Sequence, residues 1–131
     1  MNGYPLDHVA IAVRSIQESA ATLEPVTGCA CSTIEELPAE GVNVAFLGAV
    51  ELIEPRSADS GVARFIERRG PGLHPIAFRV PDLRAALEEL KTRGFQPIDE
   101  EPRSGARGHQ VAFLHPKTTG GVLIELVQQP E

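Results

Sequence analysis

The amino-acid sequence predicts a single α+β domain in which two paired βαβββ modules form a curved mixed sheet around a cleft. Internal repeats carry this prediction, because each half holds an apolar strand before a helix signal and a later pair of strands. The repeated segments are YPLDHVAIAV (4–13) with GLHPIAFRV (72–80), and GVNVAFLGAVELIEP (41–55) with GHQVAFLHPKTTGGVLIELVQQP (108–130). A half with one helix on one sheet leaves a sheet face uncovered, so two halves must pair to be stable. The modules span about residues 1–69 and 70–131.

The composition indicates an ordinary globular protein. The chain has 131 residues, of which 42% are hydrophobic and 23% charged, enough for one domain with a core and a solvated surface. The net charge of -6 argues against nucleic acid as a partner, because phosphate binding needs a basic face. No apolar run approaches the roughly 20 residues that cross a bilayer, and the N-terminus lacks the pattern of a signal peptide. We therefore expect no membrane association and a cytoplasmic location.

Three helices are predicted from capping residues and apolar spacing. The first begins with an S-x-x-E capping box and should stop at a proline, and the other two begin at Ser or Asp and end at glycine. The signals that start and end the helices are Ser15 and Pro25, Ser60 and Gly70, and Asp82 and Gly94.

Strand alternation assigns three ionisable side chains to the cleft. His8 shares a strand face with the small residues Ala10 and Ala12, while the large apolar residues between them should pack on a helix. By the same alternation, Glu51 and Glu125 point away from the helices on two strands related by the repeat. From the residues alone, a hydrogen-bonded core His8 and two solvated glutamates at strand ends are the alternative.

Four segments resemble the metal-site segments of the methylmalonyl-CoA epimerases, a family of the vicinal-oxygen-chelate, or glyoxalase, superfamily. They read DHVAIAV, VELIEP, GLHPIAF and FLHPKTTGGVLIELVQ. The resemblance covers nearly the whole chain, and it implies the glyoxalase-like fold, an isomerase acting on an acyl-CoA, and a homodimer. It also implies four metal-ligand positions, one on the first strand and one on the last strand of each half. Carried over, these positions are His8, Glu51, Pro75 and Glu125.

The third ligand position departs from the family's pattern. The family usually has L-H-H-I, whereas residues 73–76 read L-H-P-I, and the side chain of Pro75 has no ligating group. His74 lies one residue away and would reach the site only if the strand bulges or bends. The other three positions, with waters, would still suit a divalent Co, Mn, Ni, Zn or Mg ion.

The proton-transferring groups have two interpretations. A hydrogen α to a thioester carbonyl is weakly acidic, so its removal needs a placed base and stabilisation of the enolate oxygen. Glu51 and Glu125 form one candidate pair. The resemblance implies a different partner for Glu125, a glutamate in a segment usually written P-E-x-G-V, but residues 38–42 read P-A-E-G-V. Glu40 therefore lies one position after the expected base, which Ala39 replaces, and stays a candidate because loops absorb such shifts; a solvated turn charge is its alternative.

Three functions remain open from the sequence. The leading hypothesis is metal-dependent 1,1-proton transfer on a short branched acyl-CoA, in which Arg103, Arg107 and Lys117 could bind phosphates of the CoA tail. The second is a glyoxalase I-like isomerase acting on a thiol adduct, and the third is a non-catalytic small-molecule binding protein of the same fold. Pro75 and Ala39 favour the binding protein. The two glutamates oppose it, because carboxylates in an apolar cleft are costly without a function.

Overall fold

The structure is a computed structural model that describes residues 3–130, apart from the side chains of residues 73 and 74. The elements in chain order are β1 (Leu6–Ala12), α1 (Ile16–Thr27), β2 (Glu35–Leu37), β3 (Val42–Leu47), β4 (Val50–Pro55), α2 (Gly61–Arg69), β5 (Gly72–Arg79), α3 (Leu83–Thr92), β6 (Arg103–Ser104), β7 (Gln110–Leu114) and β8 (Ile124–Gln128). The strands form one mixed sheet in the order β2-β3-β4-β1-β5-β8-β7-β6. Each half therefore contributes strand, helix and three strands, which confirms the predicted fold class. Among the described residues, no helix is long and apolar enough to cross a membrane.

The chain divides into two compact units, Val9–His74 and Met1–His8 together with Pro75–Glu131. In the first unit, β1 pairs in parallel with β4, and β3 is antiparallel to β2 and β4. In the second, β5 pairs in parallel with β8, and β7 is antiparallel to β6 and β8. The division falls inside β1, between His8 and Val9, and so does not coincide with the sequence repeat. Folding of the chain as one domain stays a prediction.

Each unit has its own apolar core between helix and strands. In the first, Ile11 and Val13 pack with residues of α1, as strand alternation predicted. The buried residues of this core cluster are Val13, Ile16, Ala45, Leu47 and Leu52. In the second, α3 packs on β7 and β8 through Val80, Leu83, Ala86, Leu87, Ala112, Leu114 and Leu126. The strand residues in these cores alternate with Glu51 and Glu125, so packing on the helices directs both carboxylates to the opposite sheet face.

The predicted helix starts are confirmed. The side chains of Ser15, Ser60 and Asp82 each accept a hydrogen bond from a main-chain N–H in the first turn, at 3.2, 3.1 and 3.1 Å. These bonds satisfy N–H groups that have no partner within the helix.

The predicted helix ends are confirmed for α2, which closes at Gly70, and lie within two residues for α3, which ends at Thr92 before Gly94. The prediction that Pro25 stops α1 is wrong, because the helix continues to Thr27. Pro25 lies in the last turn, where its missing N–H costs one bond to the carbonyl of Ala21. Ala21 is exposed, so water can satisfy that carbonyl.

Candidate metal centre

The strand register places His8 and Glu51 on one face of the sheet. In the parallel pairing of β1 with β4, Ala10 lies opposite Glu51, and His8 precedes Ala10 by two residues. Residues two apart on a strand share a face. The second half repeats this register, because Ala77 lies opposite Glu125.

His8, Glu51 and Glu125 are buried, with 4, 5 and 8% of their surface exposed. Each offers one ligand atom, and these atoms lie within 4.8 Å of one another. Nε2 of His8 is 3.6 Å from Oε1 of Glu125. The structure thus brings together the three residues that strand alternation assigned to one site, and the alternative of two solvated glutamates does not apply.

Asp7 is a member of the site that the sequence analysis did not identify. Its Oδ2 lies 2.7 Å from Nδ1 of His8. Burial alone would raise the pKa of Asp7, but the hydrogen bond and charge of His8, followed by the charge of Arg107 and the hydrogen bond of Gln129, lower that pKa overall. An ionised carboxylate only accepts hydrogen bonds, so Nδ1 of His8 is the donor.

Strand alternation explains why Asp7 was missed. Neighbouring residues on a regular strand point to opposite faces, so a rule that assigns His8 to the site excludes Asp7. The available signal was the dipeptide Asp7-His8 itself, since a histidine that binds a metal is commonly oriented by a carboxylate on its second nitrogen.

The three residues fit a divalent metal ion. One imidazole nitrogen and two carboxylate oxygens are ligands of first-row divalent metals, and carboxylates also suit Mg. Glu51 and Glu125 are two buried acids within 4.8 Å of each other and of His8. Burying two carboxylates together is costly without a compensating cation. Histidines that bind a metal through one ring nitrogen commonly donate the other N–H to a carboxylate, as Nδ1 of His8 does to Asp7. The buried His8-Glu51-Glu125 group could therefore hold a metal ion.

The third family position contributes no ligand, because it is occupied by Pro75, which is buried in β5. The side chain of His74 lies outside the described part of the chain, so its predicted role as a substitute ligand stays a prediction.

Glu40 lies outside this group of three. It ends a short 3-10 turn, Pro38–Glu40, that leads to Gly41 and β3. Its carboxylate atom Oε1 is buried, so Glu40 is not the fully solvated turn charge that was the alternative.

The three cations considered for phosphate binding differ in their surroundings. The guanidinium of Arg103 lies over the ring of Phe113, 5.2 Å from its centroid, and Nη2 of Arg107 is 3.6 Å from Oδ2 of Asp7. Lys117 is exposed. A phosphate-binding role for these side chains stays a prediction.

Comparison with known proteins gives the family. Residues 7–113 match the model of the Glyoxalase/Bleomycin resistance protein/Dioxygenase superfamily. The mitochondrial methylmalonyl-CoA epimerase of Homo sapiens is 39% identical over 128 residues, which cover 94% of this chain and 73% of the human protein.

Solved structures agree. The methylmalonyl-CoA epimerase from Mycobacterium tuberculosis has a TM-score of 0.93 and 32% identity, covering 100% of this chain and 94% of that one. A methylmalonyl-CoA epimerase in complex with methylmalonyl-CoA and NH4+ has a TM-score of 0.92 and 31% identity, covering 98% and 96%. These similarities confirm the resemblance seen in the sequence: the chain belongs to the methylmalonyl-CoA epimerase family of the glyoxalase superfamily, a family of isomerases.

Proposed function

We propose that this chain is a metal-dependent epimerase that transfers a proton at the carbon α to the thioester carbonyl of a short branched acyl-CoA. The observation that carries the proposal is the buried group of His8, Glu51 and Glu125, whose ligand atoms lie within 4.8 Å of one another. Family membership supports the same reaction, and a similar structure contains methylmalonyl-CoA.

In this proposal, His8, Glu51 and Glu125 hold a divalent Co, Mn, Ni, Zn or Mg ion. The chemistry that such an ion supplies when bound is positive charge that offsets the negative charge developing on the substrate's carbonyl oxygen. The protein's own contribution is a buried position for this charge, where electrostatic interactions are stronger than in water.

A carboxylate of the site removes the α-proton. The carbon-hydrogen electron pair delocalises into the thioester as an enolate, and a proton delivered to the opposite face restores the carbon with inverted configuration. Glu51 and Glu125 are the first candidates for the group that removes the proton and the group that returns one. They occupy equivalent strand positions in the two halves, opposite Ala10 and Ala77 respectively. Glu40 is the second candidate for the partner of Glu125.

The finer features of the proposal concern substrate and assembly. A CoA thioester is proposed as the ligand, with Arg103, Arg107 and Lys117 as candidates for its phosphates. A homodimer and a cytoplasmic location complete the proposal. Analytical ultracentrifugation of the purified protein tests the dimer.

A non-catalytic small-molecule binding protein is the second candidate, because Pro75 occupies a position where the family usually has a histidine ligand. The burial of two glutamates beside His8 argues against it, since burying two carboxylates together is costly and a bound cation would offset that cost. Glyoxalase I-like isomerisation uses the same kind of site and differs in the substrate.

The test is metal content followed by hydrogen exchange. The protein is purified without chelators and analysed for metals by mass spectrometry, and then incubated in D2O with methylmalonyl-CoA and each divalent ion in turn. We expect a bound divalent ion and deuterium incorporation at the α-carbon that stops with chelator and returns with added ion. Absence of both bound metal and deuterium exchange would reject the proposal that this chain is an enzyme. A bound metal with activity only on a thiol adduct would favour the glyoxalase I-like reaction.

Variants assign the exchange to the site. Glu51→Gln and Glu125→Gln each remove one carboxylate with little change of volume, and loss of a general acid or base typically slows a reaction by roughly 10²- to 10⁴-fold. Glu54→Gln is the matched control, because Glu54 lies on the same strand as Glu51 and uses Oε1 to accept a hydrogen bond from Ile16. An amide oxygen retains that bond, while the amide nitrogen takes the place of Oε2, which accepts from Nδ2 of Asn43, so this control loses one hydrogen bond outside the group of three. Equal exchange rates in all three variants and the wild type would contradict the proposed roles.

A further inference from the structure

We infer that Asp7 is a positioning residue for His8, which holds the imidazole so that Nε2 is the nitrogen presented to the ion. The inference rests on the metal site proposed above and adds a residue to it. Every contact in its support lies within one compact unit, Met1–His8 with Pro75–Glu131.

The geometry separates the two ring nitrogens of His8. Nδ1 is 2.7 Å from Oδ2 of Asp7, whereas Nε2 is 3.6 Å from Oε1 of Glu125. The side chains of Asp7 and His8 are only 4% and 6% exposed, so water competes little for this hydrogen bond. A carboxylate on Nδ1 keeps the proton on that nitrogen, which leaves the lone pair of a neutral ring at Nε2.

The carboxylate of Asp7 is itself held from two sides. Nη2 of Arg107 lies 3.6 Å from Oδ2, and Nε2 of Gln129 donates to Oδ1 at 3.4 Å. Asp7 therefore has each oxygen engaged, and its orientation does not depend on His8 alone.

Arg107 adopts an unusual backbone conformation next to this contact. Its φ is +58°, and it is the one residue other than glycine with positive φ among the described residues. Left-handed backbone is unfavourable for a side chain such as arginine and persists where surrounding contacts hold it. The ion pair with Asp7 is one such contact, which ties this turn to the orientation of His8.

The role of Asp7 predicts a graded effect on metal affinity. Loss of a carboxylate that orients a metal-binding histidine typically weakens binding by about 10- to 100-fold. Asp7→Asn keeps an oxygen that can accept from Nδ1 and loses only the charge, so it should lie at the lower end of that range. Asp7→Ala loses both and should lie at the upper end.

The experiment measures zinc affinity by competition with a fluorescent chelator, for the full chain and without substrate. Asp7→Asn and Asp7→Ala are compared with the wild type and with Asp82→Asn. The last variant removes one negative charge at the start of α3, where asparagine is an equally good helix cap. We expect weaker zinc binding in both Asp7 variants and wild-type affinity in Asp82→Asn.

A spectroscopic measurement separates positioning from a general loss of structure. In the zinc-loaded wild type, ¹⁵N-resolved NMR of His8 should show a protonated Nδ1 whose proton exchanges slowly with water. In Asp7→Ala, this proton should exchange rapidly. Arg107→Gln acts on Asp7 from the exposed side of the contact and should weaken zinc binding by roughly two- to fivefold, which keeps a test available if Asp7→Ala does not fold.

Two results would overturn the inference alone: zinc bound through Nδ1 of His8, or wild-type zinc affinity in folded Asp7→Asn and Asp7→Ala. A wild-type protein that binds neither zinc nor any other divalent ion would overturn the proposed metal site as well. The two failures are therefore distinguishable.

Discussion

Gln128 accepts a hydrogen bond at Oε1 from the main-chain N–H of Leu83, 2.7 Å away and 45 residues earlier in the chain. The first half repeats the arrangement, because Oε1 of Glu54 accepts from the N–H of Ile16 at 2.9 Å. In both halves, a side chain near the end of the last strand satisfies an N–H that the first turn of the helix leaves without a helical partner. These residues follow Glu125 and Glu51 by three positions, so the bonds fix the helix against the strand that carries each site glutamate.

Removal of one of these acceptors should destabilise the fold without touching the site. We expect Gln128→Ala to lower the free energy of unfolding by about 1–2 kcal/mol, because the N–H of Leu83 loses its partner in a partly buried place. Urea denaturation gives the value. Gln17→Ala, at an exposed position on α1, is the control and should stay within about 0.5 kcal/mol of the wild type. A loss no greater than that of the control would show that water replaces the side chain.

The core under α3 should be far more sensitive. Leu83 is fully buried, with 0% of its surface exposed, and Leu83→Ala should cost about 2–5 kcal/mol through lost burial and a residual cavity. Ile98→Ala removes an apolar side chain that is 50% exposed and should cost much less. Thermal and urea denaturation of both variants measure the difference. Similar losses would mean that the site of Leu83 collapses around the smaller side chain.

The thiol of Cys31 should titrate above its ordinary range. Burial, followed by the negative charge of Glu24, raises its pKa above the usual 9.0. The folded protein therefore keeps the thiol protonated where an unfolded chain already loses the proton. Consequently, this group's contribution to stability falls as the pH rises from 9.0 toward the higher folded-state pKa.

Alkylation rates measure this shift. In a Cys29→Ser background, the rate of reaction of Cys31 with iodoacetamide as a function of pH should give a midpoint above 9.0. Glu24→Gln removes the charge that disfavours the thiolate and should move the midpoint down. A midpoint that does not respond to Glu24→Gln would leave burial as the sole cause of the raised pKa.

Most of the fold and part of the site could be predicted because local rules decide them. Strand alternation and the repeat assigned His8, Glu51 and Glu125 to one face, and the packing of Ile11 and Leu126 on helices enforces that choice. The rest depends on contacts that have no sequence periodicity. Asp7 contacts Arg107 and Gln129, which lie about a hundred or more residues later in the chain. No local sequence pattern predicts these two contacts.

The departure from the family's pattern at Pro75 gives the sharpest prediction about the metal. On β1, His8 lies two residues before Ala10, which is opposite Glu51. On β5, Pro75 lies two residues before Ala77, which is opposite Glu125. Pro75 thus holds the position in the second half that His8 holds in the first. Pro75→His should therefore add a nitrogen ligand and tighten divalent-ion binding by about tenfold or more, since complete four-ligand sites bind zinc with roughly 10–16 kcal/mol.

Competition with a chelator measures the gain in affinity, and Pro71→His is the matched control, because it places a histidine at an exposed position just before the same strand. The control should bind zinc as the wild type does. His74→Ala completes the set. If a bend in β5 already brings His74 to the ion, His74→Ala weakens binding and Pro75→His gains little; if strand alternation holds, His74→Ala is neutral and the full gain appears. Unchanged affinity in both variants would mean that neither residue 74 nor residue 75 reaches the ion, and that the centre works with the three ligands His8, Glu51 and Glu125 alone.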